Sequence, residues 1–505
     1  MLKQIFEIIM KRHTILLAFA AILFGTACQK STIDDPIIDQ PSTSIEVSGD
    51  IKVNTTWTAD KIYFLKGYVF VTDGATLTIE PGTIIKGDKA TKASLIVTRG
   101  SKISAIGTAD KPIVFTSAVA SGGRSSGDWG GIILLGKAPV NQSGGEVIIE
   151  GGLVPTTTGG AVGDKAKYTT YGGGANPDPA DNSGTLKYVR IEFAGIAFAP
   201  DNEINGLTMG GVGSGTTLDY IEVYRSGDDA YEWFGGTVNA KHLLAIGTTD
   251  DDFDTDFGFS GKVQFGLAQR AQVVADVSGS NGFESDNDAT GTNLTPQTSP
   301  VFSNMTIVGP LTSVVASGGS ISNINANYQH AVQIRRNSAL SMFNSVLTNY
   351  HEGVYFDDGT VVTAKATSTN YTAGRIGFAN NIIYNMNAKG NEVKGQNKAD
   401  FETALRAANT FDATKSVVDL LTSPLLYGID FKVAGAAFSG TPNFTIKTGS
   451  AAETGAVFTN AKITDAFFDK VTYRGAFGAT DWSATWAHYD PQILTYTTPG
   501  KVTGN

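Results

Sequence analysis

The sequence predicts an all-β chain folded as a right-handed parallel β-helix, a solenoid with a small mixed C-terminal cap. Three observations carry this. Runs of alternating β-formers closed by a glycine turn recur from Trp57 onward. Some of these runs repeat at fixed offsets, and helical periodicity is almost absent between about residues 50 and 395. With 59 glycines and 17% charged residues in 505, the composition suits many short strands joined by tight turns.

Lys11 and Arg12 precede an apolar run from Ile15 to Phe24, followed by Gly25, Thr26, Ala27 and Cys28. Basic, apolar and small-residue regions in that order predict a secretory leader over residues 1–27, and Met10 would start a leader of ordinary length. Cys28 is the only cysteine, so internal disulfides and cysteine-based metal sites are excluded. Its placement resembles a lipobox, with Gly25 where leucine is usual, and the resemblance implies lipidation of Cys28. Residues 28–47, rich in Ser, Thr, Asp, Pro and Ile, read as a flexible tether. Lys30 followed by Asp34 and Asp35 resembles the surface-export signal of Bacteroidota lipoproteins, which implies an outer-membrane, cell-surface location.

The solenoid is expected over residues 48–395. Thr76 to Gly87, Ser94 to Gly107 and Pro112 to Ser117 give its early strands. Leu186 to Gly195 and Leu218 to Gly227 share one pattern, as two rungs would. His330 to Asn337 and His351 to Asp358 are offset by 21 residues, and Asn304, Asn344 and Asn380 recur at one position of the theme, where stacked side chains would form a ladder. Residues 396–505 are expected to cap or flank the coil. Helices are placed at Asp400 to Asn409 and Ser416 to Leu421. Tyr473, Phe477, Trp482 and Trp486 either close the end of the coil or form a sugar-stacking platform.

Segments such as IEPGTIIKG, GDWGGIILLG, SGDDAYEWFGGTVNAKH, DDDFDTDFGFSGKVQFG and GFESDNDATG resemble the carbohydrate-active β-helix superfold. They are more closely similar to a group of Bacteroidota surface lipoproteins of the parallel β-helix type. The resemblance covers nearly all of the mature chain and implies no residue-specific chemistry.

The densest polar feature runs through Asp228, Asp229 and Glu232, then Asp251, Asp252, Asp254 and Asp256, then Glu284 and Asp286. Asp228 and Asp251 are 23 residues apart, as are Asp229 and Asp252, so one coil of that length would stack them in a stripe. Crowded carboxylates repel, and Ca2+, which takes roughly six to eight oxygen ligands, would neutralise them. A solvated, turn-forming acidic rim is the alternative. Trp233, Arg335 and Arg336 are candidates for ligand contact, with Arg336 alternatively paired to Asp357, 21 residues on.

His13, His242, His330, His351 and His488 have no metal-ligand spacing, and no catalytic residue can be assigned. A net charge of −10 speaks against nucleic acid as a partner. Two functions fit: a lipid-anchored surface module that binds glycan or an outer-membrane protein, or a calcium-dependent polysaccharide lyase or glycoside hydrolase working through the acidic stripe.

Overall fold

Tyr231–Phe234, Phe253–Asp256 and Phe283–Ser285 hydrogen-bond in parallel register, each one coil beyond the last. This is the solenoid in miniature. The computed structural model describes residues 44–153, 164–198, 203–310, 324–359, 361–386, 391–424 and 442–502. The leader, Cys28 and the tether as far as residue 43 lie outside these. Among the described residues, 26 strands join in one parallel hydrogen-bonded system that winds through three faces.

Two faces come from single long strands that bend in the middle. In Gly184–Glu192, Thr217–Tyr224, Asn239–Ile246, Lys262–Gln269 and Val301–Val308 the first half lies on one face and the second half on the next. The bend is a residue in the left-handed region, successively Tyr188, Tyr220, His242, Phe265, Asn304, Asn344 and Asn380. Leu186 sits opposite Leu218, so those two runs are successive rungs as expected. The third face, the acidic face, carries Tyr231–Phe234 and its in-register neighbours.

Inward positions stack like with like. Tyr231 lies on Phe253 (5.5 Å), Phe253 on Phe283 (4.9 Å) and Trp233 on Phe259 (5.3 Å). Glycines permit the closest approaches. A Cβ on Gly184, where the chain rejoins the coil at φ +116°, would stand 1.8 Å from the Ile103 carbonyl oxygen.

Several expectations are corrected. The solenoid begins before residue 48, because Ser44–Ile51 already pairs with Ile62–Val71 and its Val47 and Ile51 pack on the core. It continues past 395, with Thr410–Asp412 pairing to Ile382–Tyr384. Glu402–Ala408 is helical as expected, whereas the second expected helix shrinks to a 3-10 turn at Val417–Asp419. His330 pairs with Glu352, a step of 22. The recurrent asparagines do not ladder with one another: Asn304 Nδ2 donates to the Tyr473 carbonyl (3.0 Å) and Asn344 Nδ2 to the Val457 carbonyl (3.2 Å). The ladder runs one residue later, where Ser345 N donates to Asn381 Oδ1 (2.8 Å) and Asn381 N to Asn409 Oδ1 (3.0 Å).

The largest correction concerns the C-terminal segment, which is a strap along the coil. From Gly475 it crosses successively earlier coils. Gly475 N donates to the Asn344 carbonyl (2.8 Å), Trp482 packs edge-on against His242 (5.0 Å) and Trp486 against Tyr188 (6.0 Å). His488 N then reaches Glu222 (3.0 Å), and the Leu494 carbonyl accepts from Arg124 (2.8 Å). The physical reason is the face it covers: outward Leu244, Leu267, Val346 and Ile382 are apolar and pack under Phe477 and Trp486. The aromatic cluster therefore seals a flank.

Candidate cation-binding cleft

At the corner leading into the acidic face, Asn205, Asp229, Asp251, Asn281 and His330 occupy one position on successive coils. Each side-chain oxygen receives the backbone N–H of the next coil. Asp229 N donates to Asn205 Oδ1 (3.2 Å), Asp251 N to Asp229 Oδ1 (2.8 Å), Asn281 N to Asp251 Oδ1 (2.5 Å) and His330 N to Asn281 Oδ1 (3.1 Å). One oxygen of Asp229 and one of Asp251 thus hold the coil together.

Three residues further along the strands, Glu232, Asp254 and Glu284 stack on the outward side. With Asp228 and Asp250 they line a cavity of about 210 Å³, completed by Ser278, Gly279, Arg335 and Glu150. Glu150 comes from a loop that leaves the coil after Gly131–Leu135 and is held by the Val147–Ile148 and Thr170–Tyr171 hairpin. The Asn205 amide donates to Glu150 Oε1 (3.1 Å) and also to Glu232.

Eight carboxylates thus face a single guanidinium. Burial first, and neighbouring carboxylates second, push Asp228, Asp229, Glu232, Asp251 and Asp254 well above the usual carboxylate range. Burial also raises Asp250 to about 6, Glu150 to about 7 and Glu284 to about 8, the last despite the opposing Arg335. Oδ1 of Asp250 and Oδ1 of Asp254 are fully buried and accept no hydrogen bond among the described residues. Donor atoms of three carboxylate groups lie within 4.8 Å of one another: Asp228 with Asp229 and Asp250, Asp229 with Glu232 and Asp254, and Asp251 with Asp254 and Glu284. All-oxygen donors, crowded and short of hydrogen-bond partners, fit a hard cation.

The acidic stripe exists, but its register is 22 residues: Glu232 sits opposite Asp254, and Asp229 caps Asp251. A slip of one residue reverses a strand's faces, and this removes Asp252 from the stripe. Asp252 is fully buried on Arg270 (2.9 Å), with Tyr350 donating to it (3.3 Å). Trp233, also expected to meet a ligand, is 0% exposed and points into the coil. Asp256 and Asp286 lie outside the cleft lining. Asp256 accepts from Phe257 N (2.6 Å), and Asp286 is clamped by Arg335 (2.8 Å) and Arg336 (2.6 Å). Arg336 therefore pairs with Asp286, while Asp357 accepts from Gln396 (2.7 Å) and Gly359 N (2.7 Å). Arg335 bonds Glu284 as well and reaches the cleft. Sequence reasoning missed Glu150, which sits off the coil register, and Asn205. Asp250 was legible as part of the DDDFDTD run but was not assigned.

Fold and cleft together define a parallel β-helix protein with a polyacidic, cation-accepting corner. The chain belongs to the pectate-lyase-like β-helix domain family, whose model matches residues 49–418. Among solved structures, pectate lyase Pel9A is similar at 12% identity, over 87% of this chain and 89% of that one, with a TM-score of 0.36. The Dettilon tailspike protein is similar at 8% identity, over 70% of this chain and 63% of that one, with a TM-score of 0.29. The curated protein sequences contain no match.

Proposed function

We propose that this chain is a surface lipoprotein anchored to the outer membrane by lipid on Cys28, and that its β-helix is a calcium-stabilised binding or scaffold module for a glycan or an outer-membrane protein. The observation that carries the calcium reading is the crowding of eight carboxylates around one arginine in about 210 Å³. A space of that size takes metal ions and waters; ligand pockets run to roughly 300–1,000 Å³. Calcium suits donors of this kind because it accepts irregular oxygen geometry. Melting the protein with and without a chelator tests it: calcium is expected to raise the midpoint appreciably, and an unchanged midpoint discards the metal.

The anchor reading rests on the leader and its single cysteine. Among the described residues no helix is long and apolar enough to cross a membrane. Fatty-acid labelling of cells expressing the chain is expected to mark the wild type and leave Cys28→Ala unmarked.

A second reading, a calcium-dependent lyase acting on a uronate polymer, is favoured by one feature: Arg335 lines the same cavity as the carboxylates. Its clamp on Glu284 and Asp286 argues for a structural role instead. Release of unsaturated products from polyuronates by the wild type, lost in Arg335→Ala, would establish the lyase.

A further inference from the structure

The three carboxylate groups overlap: Asp229 belongs to the first and second, and Asp254 to the second and third. We propose that the cleft holds a row of three divalent cations, one per group, with Asp229 and Asp254 as bridging ligands; this rests on the calcium reading above. The first argument is positional. Asp228 and Asp229, Asp250 and Asp251, and then Glu284 come from successive coils, so the groups march along the solenoid axis at about the 4.8 Å strand spacing. Ions at that separation are close enough for one carboxylate to bind two of them, one through each oxygen.

The second argument is charge. Eight carboxylates against one guanidinium leave seven negative charges. One divalent ion reduces this to five, and three reduce it to one. A single ion would leave most of the repulsion in place. The third argument is the buried Oδ1 of Asp254, the residue shared by the second and third groups, which accepts no hydrogen bond among the described residues. Asp229 differs in having one oxygen committed to Asp251 N (2.8 Å), which fixes the orientation of its carboxylate.

The row predicts how ion number changes with each ligand. Removing a bridge costs two ions, and removing a terminal ligand costs one. Equilibrium dialysis of the full chain against calcium, with metal analysis per chain, is expected to count three ions. Asp254→Asn should then retain one and Asp228→Asn two, with circular dichroism verifying that each variant is folded. If Asp254→Asn does not fold, the wild-type and Asp228→Asn counts decide alone. A wild-type count of one or two overturns the row and leaves the calcium reading standing; a count of zero overturns both.

Discussion

Two faces of the same solenoid bury acidic side chains and treat them in opposite ways. On the face under the strap, Glu192, Glu222 and Arg190 are all 0% exposed. Arg190 contacts Glu192 (3.3 Å) and donates to Tyr496 (2.8 Å) and the Val502 carbonyl (2.7 Å). Tyr496 donates to Glu192 (2.7 Å), and His488 N to Glu222 (3.0 Å). On the acidic face, Asp229, Glu232 and Asp251 are nearly as buried, yet they face mostly one another. Equal burial with matched partners makes a structural joint. Equal burial with like charges makes a site that needs a cation.

The sharpest way to break this comparison is to remove the partner on the matched face. Arg190→Ala leaves Glu192 and Glu222 without their guanidinium and frees the end of the strap, with an expected loss of about 3–5 kcal/mol. Urea unfolding measures it, and the loss should be the same with or without calcium. On the acidic face the dominant effect should come from the ion. Free calcium at about 100 times its dissociation constant should add about 2.7 kcal/mol per site, seen as a shift in urea midpoint that EDTA reverses.

Without metal, pH should act on the acidic face. Folded-state values of about 6 for Asp250, about 7 for Glu150 and about 8 for Glu284 lie above those of unfolded carboxyls near ~4. A raised value means that the folded chain binds more protons, so this contribution is complete below about 4 and is lost as pH rises through 6 to 8. The metal-free protein should be about 2 kcal/mol less stable at pH 8 than at pH 5 from these groups, and calcium should narrow the difference. Asp254→Asn should stabilise the metal-free chain at pH 8 by about 1.4 kcal/mol, one pKa unit of relief, while weakening the calcium response. The smallest effect belongs to the exposed rim of the strap. Lys262→Ala breaks a pair with Asp465 (2.6 Å), both partly solvated, and should cost under about 1 kcal/mol.

Much of this molecule was legible before any coordinates. Alternation such as Thr76, Leu77, Thr78, Ile79 puts leucine and isoleucine inward, and Leu186 and Leu218 are the rungs their repeat suggested. The acidic runs were visible as well, and Asp228, Asp229, Glu232, Asp251, Asp254 and Glu284 do meet. What misled was arithmetic: a step of 23 instead of 22 moves Asp252 from the buried Arg270 pair to the stripe.

Sequence by itself determined the period-two pattern, the glycine and asparagine corners and the concentration of acids, because each is a local property of a strand or turn. Tertiary structure alone decided the rest. Coil length is set by how each corner packs, so it varies and fixes which acids align. Glu150 arrives from a loop outside the repeat, and the strap finds its apolar face only after the coils have stacked. Contacts such as Tyr496 with Arg190, 306 residues apart, leave no periodic trace in the chain.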